Sequence, residues 1–206
     1  MFKYYVIIAI LSIFNTILTY LLLTCFNEGF YRVSKHSKPK VSKSIITRSN
    51  KFEIQGHNEC AGYSSAYLMR HYGKDARGSE VYHKMPHLKN GTILPKHLIA
   101  LLKSEGLKAR YYRGSLDSVK KVVEQGDPVI VFIRSCAGSN LLHYANVVGY
   151  DEKYIYIAES EEEYINENNS LYNRKVSVSD FMALWDTSRF MMPLHKNTYI
   201  TVEGET

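Results

Sequence analysis

Cysteine is scarce in this chain of 206 residues, which contains only Cys25, Cys60 and Cys136. An odd, low number without paired spacing argues against a disulfide framework, and the lack of a C-x-x-C pair excludes a zinc ribbon. Walker, Rossmann and G-x-S-x-G motifs are also missing, which removes common signs of nucleotide binding and of serine hydrolases. A few isolated cysteines in an otherwise ordinary composition make a catalytic thiol worth testing.

The excess of basic over acidic residues is small, 26 against 20, and gives a net charge of +6. Much of it lies in one short stretch, so it is not evidence for nucleic-acid binding, and we expect no nucleic-acid partner. His83 and His87 have the spacing of some zinc ligands, but Pro86 breaks any helix there and no nearby cysteine completes a set. We therefore predict no metal and no other cofactor.

A long apolar run is present at the N-terminus. Residues Tyr4 to Phe26 are almost continuously apolar, and about 20 such residues suffice to cross a bilayer. The run is too long for a typical signal peptide and lacks an A-x-A ending, so we predict a transmembrane anchor over residues 1–28. A cleaved signal peptide is the main alternative. A lipoprotein signal ending at Cys25 fits less well, because Thr24 precedes the cysteine.

Residues 29–44 follow the anchor and are predicted to form a basic, solvated linker. The basic side chains of this segment are Arg32, Lys35, Lys38, Lys40 and Lys43, whereas only Lys3 precedes the anchor. The positive-inside rule therefore favours a cytoplasmic domain, while an N-terminal, signal-like anchor favours export. We expect a single-pass membrane protein and lean slightly toward the extracytoplasmic side for its domain.

Residues 45–206 are predicted to form one α+β domain. Predicted helices cover residues 60–72, 95–104, 117–124 and 179–185, and predicted strands cover 108–112, 128–134, 143–150, 154–159 and 198–202. Gly73, Gly106 and Gly126 are expected to end helices, and Ser115 to begin one. Helices come first and antiparallel strands dominate later, which is typical of the α+β class.

Two residues in this domain could form a nucleophile and its base. Cys60 lies at the start of the first predicted helix of the domain, where free N–H groups and the helix dipole favour the thiolate. His143 lies near the start of a predicted strand, and a base on a rigid strand facing a helix-borne thiol suits nucleophilic catalysis. Taken singly, each is more often a structural residue. Cys136, shortly before His143, is expected to be a bystander in a loop.

Glu159 is a candidate to orient His143. If the hairpin turn centres on Glu152, Ala145 pairs with Glu159. His143 and Ala145 share one sheet face because side chains alternate, so Glu159 would lie diagonally across from His143, within reach of a long side chain. A slip of one residue would turn Glu159 to the other face, where it would merely begin the acidic run that follows.

The positions before the cysteine add a possible oxyanion hole. Gln55 lies five residues before Cys60, and its side-chain amide beside the backbone N–H of Cys60 would hold an oxyanion. An ordinary loop glutamine has the same spacing.

The stretches around these residues resemble the peptidase C39 family and the C39-like peptidases. They are QGHNECAGYS at 55–64, GDPVIV at 126–131, HY at 143–144 and VVGYD at 147–151, and their order covers nearly all of the domain. The resemblance implies a papain-like cysteine peptidase fold, in which an N-terminal helix bearing the cysteine packs on an antiparallel sheet bearing the histidine. Here one transmembrane helix would precede that fold. The resemblance maps the nucleophile to Cys60, the base to His143 and the oxyanion-hole glutamine to Gln55.

This chain departs from the family pattern at two places. The family usually has Gly then Pro after the nucleophile, whereas this chain has Ala61 and Gly62. The family usually has Asp-Pro at the end of the strand after the histidine, whereas this chain has Glu159 and Ser160. The longer glutamate can still accept the imidazole N–H if the backbone retreats slightly.

We therefore predict a membrane-anchored cysteine peptidase that uses Cys60, His143, Glu159 and Gln55 on a peptide or protein substrate. A non-catalytic C39-like module that binds peptides is the alternative from another class. Acyl transfer by the same pair, with an amine replacing water, is a further one. A small residue at the cleavage site is the most that the resemblance implies about specificity.

Overall fold

A computed structural model describes residues 2–139, 141–188 and 195–203 of the chain. The helices are α1 (Phe2–Glu28), α2 (Cys60–His71), α3 (Gly78–His83), α4 (Pro95–Ser104), α5 (Leu116–Glu124) and α6 (Val178–Trp185), with a 3-10 turn at Glu162–Tyr164. The strands are β1 (Arg32–Val33), β2 (Ser44–Ile45), β3 (Ala109–Arg113), β4 (Val129–Arg134), β5 (Leu142–Tyr150), β6 (Tyr154–Ala158), β7 (Arg174–Ser177) and β8 (Thr198–Val202).

The strands form one sheet in the order β1-β3-β8-β4-β5-β6-β7, and β2 also pairs with β5. Neighbours run antiparallel, except that β1 and β3 are parallel. The predicted α+β class is confirmed, and the sheet is mixed because of the short parallel pair. The sequence patterns do not predict α3, β1, β2 or β7.

Single residues next to the helix ends account for the predicted bounds of α4 and α5. Pro95 occupies the first turn of α4, where its missing N–H is not needed. Ser115 caps α5 by accepting a hydrogen bond from the N–H of Ser118. After α4 the chain turns at Gly106, whose φ of +83° is costly for any residue with a Cβ.

Helices cover both faces of the sheet. One core lies under α5 and α6 and is built around Val119, Val123, Phe181 and Trp185. The other core lies under α2 and α4 and is built around Leu68, Met69, Leu98 and Leu102. Because both faces are covered, β4 is buried along nearly its whole length and reads as a continuous apolar run. The strands that carry the functional residues are therefore held rigidly.

α1 contains an apolar stretch from Lys3 to Thr24, 22 residues with a hydropathy of 2.4. The most apolar part of this stretch is not buried inside the molecule. Its length and composition suffice for a membrane span, although a signal sequence has the same properties.

The segment predicted as a linker lies along the domain. Within residues 29–44, β1 pairs with β3 and β2 begins at Ser44 against β5. The backbone N–H groups of Lys40 and Val41 both donate to the carboxylate of Glu124, at 2.6 and 3.0 Å. These contacts attach the segment to the sheet and to α5, while its basic side chains Arg32, Lys35, Lys38, Lys40 and Lys43 are exposed.

Candidate active site

Cys60 is the first residue of α2 and is partly exposed. Glu59 precedes it and makes no side-chain hydrogen bond to the helix, since its carboxylate accepts instead from the N–H of Gly56 at 3.2 Å. No capping side chain therefore occupies the first N–H groups of α2, and these groups favour negative charge beside the thiol.

Two buried hydrogen bonds fix α2 against β5. Ser64 donates its hydroxyl to the carbonyl of Tyr144 at 2.9 Å. Asn146 in turn donates its side-chain amide to the carbonyl of Ser64 at 3.2 Å. The helix that carries Cys60 is thus attached to the strand that carries His143.

Gly62 accounts for one departure from the family pattern. A Cβ at this position would lie 2.5 Å from both the carbonyl oxygen of Gly78 and the Cβ of Tyr82. Because such a contact is a clash, only glycine lets α3 pack this closely on α2.

His143 lies at the second position of β5 and is 4% exposed. Its side chain lies close enough to that of Cys60 to interact with it, and its Nε2 hydrogen-bonds to the carboxylate oxygen Oε1 of Glu159 at 2.6 Å. With Nε2 directed at the carboxylate, Nδ1 is the ring nitrogen left for the thiol. The structure thus brings together three of the four residues singled out from the sequence.

A β-bulge decides which way Glu159 points. Near the turn, Tyr150 pairs with Ile155, which is one residue out of the predicted register. The register shifts between Val147 and Gly149, after which Val147 pairs with Ile157 as predicted. Because a shift of one residue reverses the face of every later side chain, the bulge turns Glu159 toward His143.

The carboxylate of Glu159 is fully buried and receives four donors. Oε1 accepts from His143 and from the N–H groups of Ser160 and Glu161, at 2.8 and 3.0 Å. Oε2 accepts from Nη1 of Arg174 at 2.7 Å. Asn173 holds the backbone of Glu159 by accepting from its N–H and donating to its carbonyl, at 2.6 and 2.9 Å.

Arg174 was not identified from the sequence. It lies in the short strand β7, whose four residues follow a segment without apolar periodicity. The only local signal is a basic residue in a short alternating stretch, and that signal does not indicate which carboxylate the residue contacts. Its partner lies 15 positions away and meets it only when β6 and β7 pair.

The pair of His143 and Glu159 shifts both ionisation equilibria. Burial alone would lower the pKa of His143, but the carboxylate of Glu159 and the contact with Cys60 raise it to about 10. Burial alone would raise the pKa of Glu159, but His143 and Arg174 lower it to about 2. Both shifts favour a protonated imidazole beside an ionised carboxylate.

Gln55 is tied to the segment that follows Glu159. Its Nε2 donates to Oε2 of Glu161 at 2.6 Å, and its Oε1 accepts from the hydroxyl of Ser160 at 2.7 Å. Its backbone N–H donates to the carbonyl of Ser160 at 2.9 Å. One hydrogen of the amide group is thus occupied, and the second is the one that an oxyanion would use.

A groove of about 900 Å³ opens on the Arg174 side of this cluster. Its lining includes Cys136, Tyr164, Arg174, Met182 and Ala183. The ring of Tyr164 lies edge-on to His143, with centroids 6.2 Å apart, and the guanidinium of Arg174 lies over it at 5.0 Å. Tyr164 and Arg174 are therefore shared between the groove and the histidine site, and Cys136 is exposed in the adjoining loop.

His87, one of the two histidines with zinc-like spacing, stacks on Tyr82 with ring centroids 5.4 Å apart. Within the three described ranges, no group of three or more His, Cys, Asp or Glu side chains could hold a metal ion.

The sequence matches the peptidase C39 family over residues 49–197. No curated protein matches the chain significantly. The matched range contains Gln55, Cys60, His143 and Glu159.

Solved structures share the fold. A C39-like peptidase from Bacillus anthracis has a TM-score of 0.61 at 16% identity and covers 81% of this chain and 100% of its own. The peptidase domain of Streptococcus ComA, a bifunctional ABC transporter, has a TM-score of 0.58 at 14% identity, with coverages of 77% and 100%. Xylellain, a cysteine protease from Xylella fastidiosa, has a TM-score of 0.51 at 11% identity, with coverages of 88% and 93%. The predicted papain-like fold is thus confirmed.

The ion pair predicts a pH window for stability. Glu159, with its lowered pKa, stabilises the fold above the unfolded value of 4.5, and this is lost as the pH falls toward 2. His143, with its raised pKa, stabilises it fully below the unfolded value of 6.5, and this is lost as the pH rises toward 10. The stability difference between wild type and Glu159→Gln should therefore be largest between pH 4.5 and 6.5.

Denaturant unfolding of the full chain in detergent, measured from pH 3 to 10, tests this window. Removing one partner of a buried pair should cost about 3 kcal/mol or more at the maximum. A stability difference that does not vary with pH would contradict the pairing.

Proposed function

The chain belongs to the peptidase C39 family and is a cysteine-type peptidase, and from this premise we propose that it hydrolyses peptide bonds with Cys60 as nucleophile and His143 as base. The observation that carries the proposal is the buried hydrogen bond of 2.6 Å between His143 and Glu159, beside which the Cys60 side chain interacts with the same imidazole. A helix-borne thiol, a strand-borne base and an orienting carboxylate form a complete set for acyl transfer.

The proposed reaction begins with the proton of Cys60 on His143. The sulfur attacks the peptide carbonyl carbon, and the negative charge moves to the carbonyl oxygen, where the N–H of Cys60 and the side chain of Gln55 would hold it. His143 then gives its proton to the leaving amine as the C–N bond breaks. A water molecule, deprotonated by His143, hydrolyses the thioester and restores the thiol.

Glu159 is proposed to hold the imidazole in the orientation that directs Nδ1 at sulfur. Its second oxygen and its backbone are held independently by Arg174 and Asn173, so the carboxylate cannot rotate without losing several hydrogen bonds. This support makes glutamate a workable substitute for the aspartate that the family usually carries.

A peptide-binding module without turnover is the second candidate. The contact between Gln55 and Glu161 favours it, because that carboxylate occupies one of the two amide hydrogens and lies near the place where an oxyanion would form. In this case Cys60 would remain reactive, but no acyl product would be released.

Product analysis would also separate hydrolysis from acyl transfer to an amine.

We propose that the groove beside Tyr164 and Arg174 holds part of the peptide. A solved double-glycine-motif protease from an AMS/PCAT transporter, in complex with its leader peptide, has a TM-score of 0.53 at 17% identity, and coverages of 78% and 99%. That structure supports a peptide as the substrate class. The groove mixes apolar side chains with charges of both signs, which suits an extended peptide.

We also propose that α1 anchors the domain in a membrane. Its apolar stretch is long enough to span the bilayer and is not buried in the domain. The chain joins the sheet through β1, four residues beyond the end of α1, so the domain would lie close to the bilayer surface. We prefer the extracytoplasmic side for the domain, although the basic residues of the following segment favour the cytoplasmic side by the positive-inside rule.

The nucleophile assignment predicts a labelling pattern. A thiol-directed peptide probe should label Cys60, and Cys60→Ala should abolish labelling and turnover. His143→Ala should slow labelling at least about tenfold, because the thiolate loses its proton acceptor. His97→Ala, on α4, is the matched control, because the influences on its ionisation are burial and Lys96 and include no residue of the site. Equal labelling rates for His143→Ala and wild type, resolved by peptide mass spectrometry, would refute the catalytic pair.

The groove assignment predicts a selective loss of peptide affinity. Ala183 is exposed on α6 and lines the groove, so Ala183→Trp should raise KM for a peptide substrate at least about fivefold by occluding the site. Alkylation of Cys60 by iodoacetamide should not change. Ala100→Trp, at an exposed position of α4, is the control. The same KM in both variants would argue against a peptide in this groove.

The anchor assignment predicts that the chain stays in the membrane fraction after alkaline extraction with Met1 still at its N-terminus. Protease added to intact cells should digest the domain if it lies outside. A soluble product with a new N-terminus near residue 25 would identify a cleaved signal peptide instead.

A further inference from the structure

Arg174 is a buried cation next to the proposed catalytic residues. It is 6% exposed, and its guanidinium bonds to Glu159 through Nη1 at 2.7 Å and to the carbonyl of Ser135 through Nη2 at 3.2 Å. Ser135 is the first residue of the loop between β4 and β5. Its N–H donates to the carbonyl of Leu141 at the other end of that loop. Arg174 therefore connects Glu159 to the segment before His143.

The sheet aligns these side chains across three adjacent strands. Arg174 pairs with Ile157 across β6 and β7 and so shares its sheet face. Glu159 lies two positions after Ile157 and takes the same face. His143 reaches that face from β5 through the register shift. A cation, an anion and a second cation thus lie in a row, and the order of the strands produces that order of charges.

Charge balance explains why the second cation matters. A thiolate on Cys60 and an imidazolium on His143 cancel each other, and an ionised Glu159 then leaves one uncompensated negative charge. An uncompensated buried charge is costly, and the usual response is protonation of the group. Arg174 removes the excess without supplying a proton that could move, because a guanidinium stays charged in proteins.

We propose that Arg174 is a positioning residue that keeps Glu159 ionised and fixed, so that the Cys60 thiolate and the Glu159 carboxylate can exist together. The proposal deepens the assigned function and rests on Cys60 and His143 being the catalytic pair. Arg174 acts on the reaction through Glu159, and this role does not depend on any contact that it makes with a peptide in the groove.

Glu161 works against the ionisation of Glu159, because two neighbouring carboxylates raise each other's pKa. The groups that face the cluster from the neighbouring elements are Cys60 on α2, His143 on β5, Arg174 on β7, and Glu161, Glu163 and Tyr164 after β6. Burial and the nearby carboxylates of Glu163 and Glu159 raise the pKa of Glu161, although His143 opposes this shift. Arg174 is the one permanent cation in this set, so its removal should be felt chiefly by the buried carboxylate.

The test is the rate of Cys60 alkylation by iodoacetamide as a function of pH, read by peptide mass spectrometry on the full chain in detergent. In Arg174→Met the carboxylate should protonate more easily, and the acid limb of the profile should move to higher pH by about 1 to 3 units. Glu159→Gln should instead move the basic limb to lower pH, because His143 loses the charge that keeps it protonated.

Two further variants separate charge from fold. Arg174→Lys keeps a positive charge and should return the acid limb most of the way to the wild-type position. Lys175→Met removes the same charge one residue along β7, where the side chain pairs with Glu167 at 3.8 Å and lies over the ring of Tyr154. Because Lys175 also lines the groove, only its alkylation profile with the small reagent iodoacetamide is compared, and that profile should match wild type.

The outcomes decide the proposal separately from the function. If Arg174→Met does not fold, as judged by circular dichroism, Arg174→Gln is measured in its place, because glutamine is neutral but can still donate a hydrogen bond. The same shift of the acid limb to higher pH is expected. A folded neutral variant with both limbs at the wild-type pH would overturn the role of Arg174, as would an equal shift in Lys175→Met. If His143→Ala leaves wild-type alkylation unchanged, the catalytic pair itself fails, whatever the Arg174 variants do.

Discussion

The carboxylate of Glu159 lies where water cannot solvate it, and the rest of the site is arranged around that constraint. A buried anion is tolerated only when its oxygens are hydrogen-bonded and its charge is compensated. Here the compensation comes from side chains on the two strands that flank β6 and from the backbone just after it. Any change that separates β5, β6 and β7 would therefore expose the anion to an unfavourable environment, which ties the integrity of the site to the pairing of the sheet.

The nucleophile depends on the same sheet through a different element. α2 is not held only by apolar packing, because Ser64 and Asn146 exchange buried hydrogen bonds with the backbones of β5 and α2. Gly62 lets α3 pack against the outer side of the helix. The sulfur is thus fixed relative to the imidazole by polar contacts along β5, and the imidazole is fixed relative to the carboxylate by the bulge in the same strand. One strand carries both alignments.

Features that depend on residues close together in the chain could be predicted from the sequence, whereas features that depend on tertiary pairing could not. The ends of α4 and α5 were predictable because Pro95, Ser115 and Gly106 act on their own neighbourhoods. Cys60 and His143 were recognisable from family stretches, and the face of Glu159 followed from strand alternation, although the bulge that secures it has no sequence signature. Two-residue strands such as β1 and β2 have no periodicity to detect. Arg174 could not be assigned, because the pairing that makes it a partner of Glu159 is tertiary.

The two residues that replace the usual Asp-Pro of the family act as one unit. Ser160 donates its backbone N–H to Glu159 at 2.8 Å, which a proline could not do because it has no N–H. Its hydroxyl also donates to the Oε1 atom of Gln55 and so orients the amide with its Nε2 toward Glu161. A longer acid needs an additional donor to hold its extra rotatable bond, and the serine supplies that donor while linking the acid to the glutamine. Restoring aspartate alone would leave the carboxylate short of both His143 and Arg174, so the chain at this site has to be understood as a set of mutually dependent residues.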